Sequence, residues 1–198
     1  MSISLNKGET IRLSKESDGR LNRVILGLGW DVAAPKKGLM RFLGVQETID
    51  LDASCILFAS DGTMQEAVWF EQLQSRDGSI RHTGDNVTGA GEGDDEQILV
   101  ELNRVPSHIT ALMFVVNSFG GQTFDRVANA HCRLLDANNN REVARYQLDS
   151  QGAHTALIMA QLLRSGAEWK MHAIGEPGRG KTFHDLVPSL IKHIKTGK

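Results

Sequence analysis

Residues 83–96, TGDNVTGAGEGDDE, gather the side chains with the clearest chemistry in this chain. They hold five carboxylates (Asp85, Glu92, Asp94, Asp95 and Glu96), the amide of Asn86 and the hydroxyls of Thr83 and Thr88, with no Lys or Arg among them. These are hard oxygen donors. Gly84, Gly89, Gly91 and Gly93 let main-chain carbonyls turn inward where a Cβ would clash. Two carboxylates about 4 Å apart repel by roughly 4 kcal/mol at an effective dielectric of about 20, so a compact loop of this composition needs a counter-charge. Calcium suits it, because that ion takes roughly six to eight oxygens in an irregular shell, whereas magnesium demands a tight octahedron and keeps its water. The spacing is not that of an EF-hand, which needs acids at alternate positions, a Gly at the sixth and a Glu at the twelfth. The residues alone leave two readings open, a cation site and a solvated acidic loop. Phosphate cradling is disfavoured, since five carboxylates would repel the anion.

Other chemistry is thinner. Trp30-Asp31 closes an apolar strand and offers a packing anchor beside a charged ligand. Asp50 and Asp52 point the same way from the start of the strand at 48–59; on spacing alone they read as solvated acids at a sheet rim. Residues 175–182, GEPGRGKT, fit the phosphate-loop pattern and would support a nucleotide-dependent or metal-dependent enzyme as the alternative function. Against that, only 16 residues follow Thr182, and the chain lacks the strand and helix alternation of a parallel sheet. A Gly- and Pro-rich connection to a last helix is the preferred reading. His82 reads as a strand residue beside the acidic loop, because a hard cation does not prefer imidazole. Cys55 and Cys132 lie in apolar runs without metal-finger spacing, as buried free thiols do. No catalytic elbow or zinc-protease motif is present, so no catalytic residue is assigned.

The elements that must position these groups are mostly short strands with period-two alternation and Gly, Asp or Asn turns. Strands are expected at 3–5, 10–13, 23–28, 48–59, 67–70, 80–82, 97–105, 109–117, 127–135, 142–148 and 169–174. Leu157, Ile158 and Leu162, with the Met159 and Leu163 pair, lie at helical spacing, so residues 154–164 are expected as a helix capped by Ser150 or Thr155 and stopped by Gly166. A second helix is expected over 183–194. The whole predicts a mainly β, two-sheet antiparallel sandwich with one or two short peripheral helices. Residues 1–175 would form the binding domain, and 176–198 a loop and helix packed on it or extending from it.

At 198 residues, with 22 Lys and Arg against 24 Asp and Glu, the chain can bury a sizeable core and has no general attraction for nucleic acid. The opening segment lacks the pattern of a signal peptide, and the longest apolar run is far short of the roughly 20 residues a spanning helix needs. The expected setting is cytoplasmic. Arg179, Lys181, Lys192, Lys195 and Lys198 make the tail basic, by default a solvated face.

Taken in order, SLNKGETIRLSK, VILGLGWD, IDLDAS, HTGDNVTGAGEGDDE, LNRVP, FVVNS, EVARYQL and EWKMHAIG resemble the TerD family of bacterial tellurium-resistance and stress-response proteins, most of all its TerD and TerZ branches. The resemblance implies a non-enzymatic β-sandwich that binds two calcium ions. Carried over position by position, it places ligands among Asp31, Asp50, Asp52, Asp85, Asn86, Glu92, Asp94, Asp95 and Glu96, and so reverses the solvated reading of Asp50 and Asp52. It further implies a role in tellurite resistance and stress response. Its expected partners are other tellurium-resistance proteins at the inner face of the membrane, with Ca2+ stabilising or gating the contact surface. The basic tail with its GRGKT string departs from the family pattern.

Overall fold

The computed structural model describes residues 2–13, 21–32, 50–83, 94–147 and 152–196. Two six-stranded sheets face each other. The strands are β1 (Ile3–Leu5), β2 (Thr10–Arg12), β3 (Arg23–Val32), β4 (Leu51–Ala59), β5 (Met64–Val68), β6 (Ile80–His82), β7 (Glu96–Glu101), β8 (Ile109–Ser118), β9 (Val127–Asp136), β10 (Arg141–Gln147), β11 (Ala156–Ser165) and β12 (Glu168–Gly178). One sheet runs β1-β10-β9-β3-β7-β6 and the other β2-β12-β11-β8-β4-β5. Every pairing is antiparallel except that of β1 with β10.

Alternation along each strand divides the apolar residues between two cores. Leu26, Leu28 and Trp30 of β3 meet Leu51, Cys55 and Leu57 of β4 and Leu112, Phe114 and Val116 of β8 between the sheets. The opposite parity of the second sheet, with Ile56, Phe58, Met113, Val115 and Ile158, is covered by Phe183, Leu186 and Leu190. These last belong to a 3-10 turn at Phe183–Leu186 and to the helix α1 (Val187–Thr196), which takes Pro188 in its first turn where a missing N–H costs nothing. The segment after 175 therefore closes a core that the sheet leaves open.

The helix expected over 154–164 is instead the strand β11. The run ALIMAQLL is buried on both faces, Leu157 and Leu162 toward the inter-sheet core and Ala156 and Ile158 toward α1. A short run apolar on every side carries no period, so spacing could not separate the two structures. Gly166 ends no helix; at φ 65° it turns the β11–β12 hairpin. The expected strand at 97–105 stops at Glu101, where Arg104 N–H bonds back to the Glu101 carbonyl. The expected strand at 67–70 begins earlier and ends at Val68, with Trp69 and Gln72 closing a tight turn.

Candidate functional site

Antiparallel register brings the end of β3, the start of β4, the start of β7 and the end of β8 to one end of the sandwich. The described acids of the predicted ligand set all sit there. Asp31 is exposed at the end of β3, and its Oδ2 accepts the Asn129 amide at 2.7 Å. Asn129 holds a left-handed φ of 53° where β9 bulges against β3. Asp95 is fixed from two sides: its N–H donates to the Leu28 carbonyl at 2.8 Å, and its Oδ2 accepts the Trp30 N–H at 2.8 Å. Burial raises the Asp95 carboxyl above its ordinary range, and the negative charges of Asp31 and Asp94 add to this; the Trp30 N–H and His131 offset only part. Asp31 and Asp95 thus form a mutually repelling pair at the mouth of the acidic loop.

Asp94 has a different task. Its side chain is fully enclosed and lies over Gly27, where a Cβ would come within 2.0 Å of Oδ2. Oδ1 accepts Arg133 Nε at 2.6 Å and Oδ2 accepts Gln97 Nε2 at 2.9 Å. Burial pushes this carboxyl up, but the bonds from His131, Arg133 and Gln97 outweigh it and hold it below its usual range. Glu96 points between the sheets, accepts the Ala53 N–H at 2.5 Å and lies 3.4 Å from His82 Nε2. Asp52 is buried opposite Asn117 on β8 and shares the strand parity of Ile56 and Phe58, the outer face of its sheet. Asp50 is half-buried just before β4.

Of the nine predicted ligands, Asp85, Asn86 and Glu92 lie outside the described residues. The other six share one end of the molecule without closing on one point. Among the described residues, no three His, Cys, Asp or Glu side chains are grouped so as to hold a metal ion. The donor chemistry nevertheless fits a hard cation, since Asp31 and Asp95 add two carboxylate groups at the flank of a loop that carries four further oxygen-bearing side chains, Asp85, Asn86, Thr88 and Glu92. Arg133, Gln97, Asn129 and His131 were not foreseen. Each is an unremarkable strand residue until register places it, although Gly27 within an apolar strand does signal a close approach.

The GEPGRGKT string takes no phosphate-cradling shape. Residues 175–178 are the last of β12, paired with β11. Beyond them the Gly180 N–H donates to Thr155 Oγ1 at 3.0 Å, and the amides of Lys181 and Thr182 both donate to Asp185 Oδ2. The donors that would hold a phosphate are occupied by the protein's own oxygens. Cys55 and Cys132 are fully buried; burial drives both thiols upward, that of Cys132 to about 12.

The fold is a two-sheet sandwich of a known kind. The crystal structure of a homologue of telluride resistance protein (TerD) from Streptomyces coelicolor matches with a TM-score of 0.67 at 22% identity, over 84% of this chain and 95% of that one. The TerD domain family matches residues 1–189, and the chain belongs to that family. Tellurium resistance protein TerZ of Serratia marcescens is 44% identical over 193 residues, 97% of this chain and 98% of that protein. A stress response protein of Bacillus subtilis is 40% identical over 201 residues, 96% of this chain and all of that protein.

Proposed function

We propose that this chain is a non-enzymatic calcium-binding protein acting in tellurite resistance and general stress response. The observation that carries the reading is the Asp31 and Asp95 pair, in which burial, with the Asp31 charge adding to it, raises the Asp95 carboxyl, beside a loop with four more oxygen-bearing side chains, Asp85, Asn86, Thr88 and Glu92. One ion would be held by Asp31 and Asp95 with Asp85, Asn86 and Glu92. A second would take Asp50 and Asp52. Asp94 and Glu96, tied to Arg133 and Ala53, would anchor the C-terminal end of the loop rather than bind directly.

Bound calcium supplies positive charge that offsets this repulsion. An ion that binds the folded loop and not the unfolded chain stabilises the fold, and quenching clustered charge converts a repelling surface into a receptive one. Its expected partners are other tellurium-resistance proteins. The non-enzymatic reading is supported by the internally satisfied GRGKT turn and by the resistance and stress names of the relatives.

The test is calorimetric titration of chelator-treated protein with calcium and with magnesium, beside its melting temperature. Calcium should give heat and raise the melting point; Asp31→Asn with Asp95→Asn should abolish both responses while the protein stays folded. Absence of any calcium response in the parent chain would sink the proposal.

A further inference from the structure

Only 6% of the chain is aromatic, yet four of its eleven Phe, Trp and Tyr rings form one continuous ladder. Phe119 packs edge-on against Phe70 at 5.6 Å, Phe70 against Trp69 at 4.7 Å, and Trp69 against Phe183 at 5.2 Å and His184 at 5.6 Å. Phe183 is the buried root, and Phe119 is 47% exposed at the other end. Leu73, 45% exposed, follows on the same turn as Trp69 and Phe70. These are the two large apolar side chains most open to water among the described residues.

The ladder is built from chain turns rather than from a flat sheet face. Phe119 follows β8, Trp69 and Phe70 follow β5, and His184 follows the GRGKT turn; register sets all three at the same end of the second sheet as the start of β4. The turns are joined, since Asn117 donates to the Gly180 carbonyl at 3.4 Å. Arg179 and Lys181 are exposed on the last of them. Of the two acids near those cations in sequence, Asp185 turns its carboxylate onto the Lys181 and Thr182 amides, and Glu176 lies 3.0 Å from His193. Glu71 is the one acid on the aromatic turn.

We propose that this ridge docks the protein on an anionic lipid bilayer. Aromatic rings on chain turns, with cations on the turn before Phe183, match the headgroup region, where amphipathic rings partition and basic side chains meet lipid phosphates. The exposed Arg179 and Lys181, on the turn that leads into Phe183 and His184, supply charge complementary to lipid phosphate. The acidic strand ends share this end of the sandwich and would repel the same bilayer, so calcium should strengthen docking. That clause alone rests on the calcium reading above.

The experiment is co-sedimentation of the full chain with vesicles of equal parts phosphatidylglycerol and phosphatidylethanolamine, against phosphatidylcholine vesicles, with calcium or with chelator. Calcium calorimetry on the same samples separates failure of docking from failure of calcium binding. Expected are sedimentation with the anionic vesicles, quenching by brominated lipid of Trp69, the one tryptophan not buried, and about tenfold weaker partition for Phe70→Ser with Phe119→Ser. Lys181→Glu should weaken it as well, each variant keeping the parent melting temperature. Protein left in the supernatant under every condition overturns the proposal, as does binding indifferent to these substitutions. Concentration-dependent dimerisation abolished by Phe119→Ser without vesicle binding would assign the ridge to a second copy and overturn the lipid reading. Binding indifferent to calcium would keep the docking and remove its control.

Discussion

Asp94 and Asp95 are neighbours of the same type and have opposite electrostatics. Asp94 is enclosed against Arg133 and Gln97 and held below its usual range; Asp95 is partly buried beside Asp31 and held above it. Arg133→Met should therefore leave an enclosed carboxylate without its cation and cost about 3 kcal/mol in urea unfolding. Asp95→Asn should do the reverse in chelator. It removes a repelling charge while its amide oxygen still accepts the Trp30 N–H, so the calcium-free melting temperature should rise and the increment from calcium should disappear. A drop in the calcium-free melting temperature would mean that Asp95 is paired in a way repulsion does not describe. The sequence presents both residues alike as members of an acidic run; only the register of β3 with β7 and β9, and the bare Gly27 between them, tells them apart.

Among the elements, β11 and α1 depend on each other. The outer face of the second sheet is as apolar as its inner face, which is why β11 lacks alternation and why α1 must lie across it. Leu190, fully buried in α1, should cost about 3 kcal/mol when replaced by Ala, and removal of α1 should expose the Ile56, Phe58 and Met113 face and yield aggregated protein. The β12 strand carries a similar constraint at Gly175. It sits at φ 62° with Tyr146 Oη where a Cβ would fall at 1.9 Å, so Gly175→Ala should destabilise by at least about 2 kcal/mol. An unchanged unfolding midpoint would contradict both contacts.

At the scale of the molecule, acid sensitivity should come from enclosed histidines as well as from carboxylates. Burial lowers His154, stacked on Phe124, from its ordinary 6.5, with Asp125 opposing in part; burial and the charge of His193 lower His172. A histidine depressed in the folded state lets the unfolded chain take up protons first. Stability is then full above about 6.5 and is lost as pH falls through the folded values. His154→Phe should flatten the fall in unfolding free energy between neutral and mildly acid pH; an unaltered slope would assign it elsewhere. Calcium at about 100 times its dissociation constant should add roughly 2.7 kcal/mol to the fold, read as a rise in melting temperature that magnesium does not reproduce.

The sequence by itself determined the β-rich architecture, the strands at 127–135 and 142–148, the terminal helix and the family, because period-two alternation, Gly and Asn turns and long ordered motifs are local properties. It also named the acidic residues. Tertiary structure alone decided that 154–164 is a strand, since burial on both faces erases the period. It decided too that Asp94 belongs to Arg133, that Glu96 reaches the opposite sheet, and that the GKT turn spends its amides on Asp185 and Thr155. Those contacts join residues as few as 3 and as many as 43 positions apart, and no local pattern encodes which of several equivalent polar groups a strand register will bring within hydrogen-bonding distance.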